Sequence, residues 1–216
     1  MKTSTLSGLL LGSMISMGVS SGANAGLLFT NSTGGVVDSS SITQSITVTA
    51  GDIAGFVDSI LDVNLIVDFS KCSSTANASG CVGEGGSTFS SEIDFDLAFG
   101  ATSVAIVNPG TFSGQNDSAR VTQIYDDEAV TVVGGPTLLN GSFQPIGSLS
   151  AFDGLSALGT WNFSFRDTVG ADPLVVHSWS LDIVLREDQG QVPAPASIAL
   201  LGLGLVGLGW SRRKKA

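Results

Sequence analysis

The chain has 216 residues, and its 19 acidic against 9 basic side chains give a net charge of −10. All the acidic residues fall within residues 26–191, where only Lys71, Arg120, Arg166 and Arg186 oppose them. A surface of that sign is a poor partner for nucleic acid, and it suits solubility, cations or basic proteins.

The first residues read as a secretory signal. Lys2 supplies a positive start, and residues 6–19 carry Leu9, Leu10, Leu11, Met14, Ile15 and Met17 as the apolar stretch. Ala23-Asn24-Ala25 follows with the small-x-small pattern that signal peptidase cuts. Cleavage after Ala25 leaves Gly26 as the new N-terminus. The apolar run is too short, and too interrupted by Ser and Gly, to span a bilayer.

Between the ends, residues 26–191 suit one domain large enough to bury a core. Period-two alternation dominates it. Val63, Leu65, Val67 and Phe69 alternate with polar neighbours, as do Ile93, Phe95, Leu97 and Phe99. Trp161, Phe163 and Phe165 repeat the pattern, and so do His177, Trp179, Leu181, Ile183 and Leu185. Each set predicts a strand with one buried and one wet face. Further strands are expected at 42–49, 104–107, 121–125 and 130–133. Gly, Asn, Asp and Pro punctuate them, and no long amphipathic helix appears. An antiparallel sandwich or barrel follows.

Residues 70–91 break the pattern. They are rich in Ser and Gly and read as a surface loop inserted between two strands. The loop carries Cys72 and Cys81, the two cysteines of the chain. In an oxidising compartment such a pair predicts a short-loop disulfide. Two cysteines and one distant histidine are too few for a closed zinc site.

The C-terminal segment has three parts. Val192-Pro193-Ala194-Pro195 is stiff and extended, residues 196–210 are uncharged and predict one hydrophobic transmembrane helix, and Arg212, Arg213, Lys214 and Lys215 close it. The basic cluster keeps that end on the cytoplasmic side of the inner membrane, and Trp210 sits at the interface. The run is shorter than the roughly 20 residues of a full span, so the anchor is weak or temporary. This arrangement over 192–216 resembles the PEP-CTERM sorting signal, which implies an exosortase as processing partner. The family motif is Pro-Glu-Pro, whereas here Pro193, Ala194 and Pro195 lack the Glu. An ordinary tail anchor is the alternative.

A second set of phrases occurs in fixed order: Val63-Asn64-Leu65, Ile124-Tyr125-Asp126-Asp127, Gly141-Ser142-Phe143-Gln144-Pro145, Leu149-Ser150-Ala151-Phe152-Asp153-Gly154, Gly159-Thr160-Trp161 and His177-Ser178-Trp179-Ser180-Leu181. Over about 41–185 this resembles the P domain, or P/Homo B, that accompanies subtilisin-type proteases. The resemblance implies a jelly-roll-like, galactose-binding-like β-sandwich, with Trp161 and Trp179 as core anchors. It also permits calcium at Asp126, Asp127, Asp153 and Asp167; acidic turns in contact with solvent are the alternative. No other cofactor is implied.

No catalytic constellation is evident. A Ser-His-Asp triad needs a histidine base, and the one histidine, His177, is expected on the Trp179 face, towards the core. There is no Gly-x-Ser-x-Gly elbow and no phosphate loop. The relatives' protease domain is absent from this sequence, so no enzymatic activity is expected. Two function classes remain: a structural or adhesive surface protein associated with exported polysaccharide or with other surface proteins, and a binding or accessory module for a protease or a glycan.

Overall fold

The alternating sequences become strands in the computed structural model, which describes residues 24–82, 87–115 and 120–188. In chain order these are β1 (Asn24–Asn31), β2 (Gly35–Val37), β3 (Ser40–Val48), β4 (Phe56–Lys71), β5 (Ala76–Asn77), β6 (Gly80–Cys81), β7 (Ile93–Phe99), β8 (Thr102–Val107), β9 (Arg120–Tyr125), β10 (Gly141–Phe143), β11 (Gly159–Asp167) and β12 (Leu174–Glu187). Two short 3₁₀ turns, Ser90–Glu92 and Leu149–Phe152, are the helical elements among the described residues.

Two sheets form the layers. One runs β1-β12-β4-β9-β10, with β2 continuing the β1 edge beside the start of β12; the other runs β3-β11-β7-β8. Neighbours pair antiparallel except β9 and β10, which are parallel. β5 and β6 make a small separate hairpin. The protein is therefore all-β with a sandwich-like arrangement of sheets.

The alternation decides which faces meet. Val63, Leu65, Val67 and Phe69 of β4 lie opposite Ile183, Leu181, Trp179 and Val176 of β12. In the second sheet Trp161, Phe163 and Phe165 lie opposite Phe99, Leu97 and Phe95. The two inner faces then interlock: Phe95 meets Phe69 edge-on at 5.2 Å, and Phe163 lies 5.3 Å from Trp179. Trp161 and Trp179 are both fully buried, as expected of core anchors. Burial of such rings is the main stabilising contribution. On the outer face of the smaller sheet, polar residues pair across strands: Thr43 with Ser164 at 2.7 Å, Ser45 with Asn162 at 2.8 Å, and Thr47 with Thr160 at 3.1 Å.

Three expectations need correction. Residues 130–133 do not form a strand: Val130 is fully exposed, and Val132 makes one isolated bridge to Gln144. The Asp126-Asp127-Glu128 turn, closed by Ala129 N–H on the Asp126 carbonyl at 3.1 Å, takes the chain off the sheet first. Second, residues 70–91 are not wholly a surface loop. Ser70 and Lys71 end β4 and are buried, and residues 76–81 form the β5–β6 hairpin. Third, His177 does not share the Trp179 face. The register of β12 against β4 shifts between Val176 and Ser178, so both His177 and Ser178 fall outside the core while Val176 and Trp179 point inward. One extra residue in a bulge reverses the parity that simple alternation assumes.

Candidate functional site

The end of β4 gathers the chemistry. Lys71 is fully enclosed, and its ammonium lies 2.6 Å from Asp167 Oδ2, 3.1 Å from Glu92 Oε2 and 3.2 Å from Asp172 Oδ2. These carboxylates come from the end of β11, from the 3₁₀ turn before β7 and from the approach to β12. Ala171 sets the last of them: its φ of 103° lies in the region that favours glycine, and its N–H is held by Asp38 Oδ1 at 2.8 Å. Asp172 Oδ2 also accepts the N–H of Phe89. Burial alone would lower the pKa of Lys71, but the hydrogen bond and charge of Asp167, with Glu92 and Asp172, outweigh it and raise it. Burial raises the carboxyls of Asp167 and Glu92 despite Lys71, and Asp172 adds to the rise at Glu92.

On the other side of the same strand end lie His177 and the disulfide. Cys72 and Cys81 are bonded, as expected, and the bond anchors the β5–β6 hairpin. Gly80 of that hairpin lies over the imidazole of His177. His177 Nε2 is 2.9 Å from Ser70 Oγ. Burial, then Arg120, lowers the His177 pKa against the opposing pull of Asp68. Ser70, His177 and Asp68 are the residue types of a nucleophilic triad, but Asp68 is taken by Arg120 in a two-pronged pair at 2.8 and 2.5 Å, and Ser70 is buried. A working triad needs the acid on the second imidazole nitrogen and a nucleophile open to substrate.

The four carboxylates expected to share calcium are not brought together. Asp167 belongs to the Lys71 cluster at one end of β11, whereas Asp153 follows the 3₁₀ turn that leads into the other end. Asp127 accepts from Ser148 Oγ at 2.5 Å, Ser150 N at 2.8 Å and Leu149 N at 3.0 Å. Burial pushes its pKa up, but those hydrogen bonds outweigh it and hold it below the usual value. Asp126 Oδ1 accepts from Glu128 N at 2.7 Å, tightening its own turn. Among the described residues no group of three or more His, Cys, Asp or Glu side chains is arranged to hold a metal ion. What remains at this rim is mutual repulsion: burial, then Asp126 and Asp127, raise the pKa of Asp62, and burial, Asp62 and Asp127 raise that of Asp153.

A hollow lies between the edge strands of the two sheets. It has a volume of about 530 Å³, and Leu28, Thr30, Asn31 and Thr33 on one side face Ser45 and Thr47 on the other. Asn31 Nδ2 crosses it to the Ser45 carbonyl at 3.1 Å.

The sequence missed the Lys71 cluster. Its signal was present but ambiguous: a lone lysine ending an alternating strand, with isolated acids far along the chain. Ala25, where cleavage is expected, is the second residue of β1. The rest of the expected signal, residues 1–23, lies outside the described residues, as do Pro193, Ala194, Pro195 and the helix expected over 196–210. Among the described residues no helix is long and apolar enough to cross a membrane.

Comparison with known proteins settles the nature of the tail. The family model of the PEP-CTERM protein-sorting motif matches residues 191–214. The chain is thus an all-β protein carrying a sorting motif that marks export, with a membrane-anchored precursor processed by an exosortase-like enzyme for the surface or the exterior. No curated protein matches the chain.

Proposed function

We propose that the protein is an exported, non-catalytic structural or adhesive component of the cell surface or extracellular matrix, associated with exported polysaccharide. Its β domain is a jelly-roll-like sandwich of the P-domain type. The observation that carries this reading is the sorting motif at 191–214, placed directly behind the last strand of a disulfide-bonded domain. The P-domain resemblance is supported by where its phrases fall: Trp161 on β11 and Trp179 on β12 both face the core. The absence of catalysis is supported by the Ser70–His177 pair being closed over and by Asp68 being bound to Arg120.

Signal peptidase removes the N-terminal segment and the tail holds the precursor until it is cut near Pro193-Ala194-Pro195. Mass spectrometry of the extracellular product tests this: a C-terminus near residue 195 is expected, and an intact Ala216 overturns it. Cosedimentation of the full exported product with the polysaccharide of the producing cells tests the association.

A second reading, a glycan-binding or protease-accessory module, is favoured by the groove between β1 and β3, whose hydroxyl and amide lining suits sugar hydroxyls. A glycan array separates the two readings.

A further inference from the structure

Lys71 and Asp167 close two strands that belong to different sheets, β4 and β11. Both side chains have no solvent exposure, and they meet at 2.6 Å. Glu92 and Asp172 lie against the same ammonium with side-chain exposures of only 12% and 4%. Strand register places Leu174 beside Lys71 and Ile93 beside Asp167, both fully buried apolar residues. One ammonium neutralises one carboxylate, so three around it leave acid to spare. In a dry site that surplus favours uptake of a proton by a carboxylate, and burial together with Asp172 makes Glu92 a ready acceptor for one.

A primary amine pressed against a carboxyl, a second carboxyl able to carry a proton and an enclosure that keeps water out are the requirements for making an amide. We propose that Lys71 and Asp167 condense to an isopeptide bond that joins β4 to β11, with Glu92 carrying the proton. The ammonium gives a proton to Glu92, and the freed lone pair of Nζ attacks Cγ of Asp167. The Nζ–Cγ bond forms. Nζ passes its second proton to a carboxyl oxygen of Asp167, and that Cγ–O bond then breaks, its oxygen leaving as water with this proton and the one that Glu92 returns. Ammonium plus carboxylate becomes amide plus water, charge is conserved, and no oxidant, cofactor or energy donor is consumed.

Two physical effects drive the step. Held at contact distance, the amine reacts as if at an effective concentration of roughly 10⁵ M or more. The neutral amide also replaces a buried ion pair, whose desolvation opposes folding. Glu92 and Asp172 remain as hydrogen-bond partners for the new amide. The link lies one residue from the Cys72–Cys81 bond and, unlike it, survives reducing agents. It does not depend on how the tail is processed.

The test is the denatured, reduced mass of the exported full chain, with its two ends fixed by terminal peptides. The mass should fall short of the sequence by one water. Trypsin should fail to cut after Lys71, and the peptide beginning at Asp167 should remain joined to the one containing Lys71, with fragmentation placing the link on Asp167. Glu92→Gln preserves a hydrogen bond at that position and should slow linkage by roughly 10²-fold, without changing the circular dichroism spectrum. A mass equal to the sequence, with free cleavage after Lys71, overturns the proposal. So does a link from Lys71 to Asp172 or Glu92, and linkage by Glu92→Gln at the wild-type rate removes Glu92 from the step.

Discussion

Trp179 donates its indole N–H to the side-chain oxygen of Gln44, 3.0 Å away, and so joins β12 of the larger sheet to β3 at the edge of the smaller. Gln44 in turn donates to the Gly34 carbonyl, in the turn between β1 and β2. One amide thus fixes a core ring, an edge strand and a turn.

Replacing Gln44 by Ala leaves the buried indole N–H without a partner, which should cost about 1–3 kcal/mol. Trp179→Ala and Trp161→Ala should each cost about 3–5 kcal/mol by loss of packing. Urea melts of the three variants measure this. A loss from Gln44→Ala within error of zero would show that solvent reaches the indole.

The disulfide closes a loop with a sequence separation of 9. Its removal, as the Cys72→Ala/Cys81→Ala pair, should cost about 2–3 kcal/mol on loop entropy. It should also free the β5–β6 hairpin from above His177. Burial is the main cause of that histidine's lowered pKa, so its titration should move up towards 6.5. An NMR titration of the one imidazole reads this directly; an unchanged pKa would mean the hairpin is not what shields it.

Asp62 has a folded pKa above its unfolded one, chiefly through burial and then through Asp126 and Asp127. Between those two values the native state holds more protons than the unfolded state. The group therefore favours folding on the acid side and weakens it as pH rises through the folded value. Asp62→Asn should stabilise the protein at pH 7 by a few tenths of a kcal/mol, since the group is largely solvated. The gain should vanish below about pH 4, where both states are protonated. Thermal melts at the two pH values give the comparison.

Gly159 opens β11 at φ 140°, and a Cβ there would come within 3.0 Å of the Phe99 ring. Phe99 is itself stacked on Trp161 at 4.2 Å. Gly159→Ala should therefore cost about 1–3 kcal/mol, and a neutral result in a chemical melt would argue against strain at this turn.

The sheets were legible where alternation ran unbroken: β4, β7 and β11 place their apolar residues as the period-two pattern requires. The pattern failed at His177 because a bulge is a register event between strands, which one strand's sequence does not record. It failed at 130–133 because Val-rich composition resembles a strand even where a turn has already carried the chain off the sheet. β1 was hidden for a different reason, since Asn24 and Ala25 resemble the end of a signal. Lys71 was missed because its partners lie 21 and 96 residues away along the chain, and only the packing of two sheets unites them.

β1 pairs along its whole length with β12, Asn24 against Arg186 and Asn31 against Trp179. The first described strand to emerge therefore has no neighbour in its sheet until the last one arrives. A chain threaded through a membrane from its N-terminus must keep that edge unpaired, and open to proteases and chaperones, for nearly the full passage. Closure of the larger sheet is thus a late, long-range event, expected to make folding slow. Truncation before β12 should leave β1 without a docking site instead of yielding a smaller stable domain.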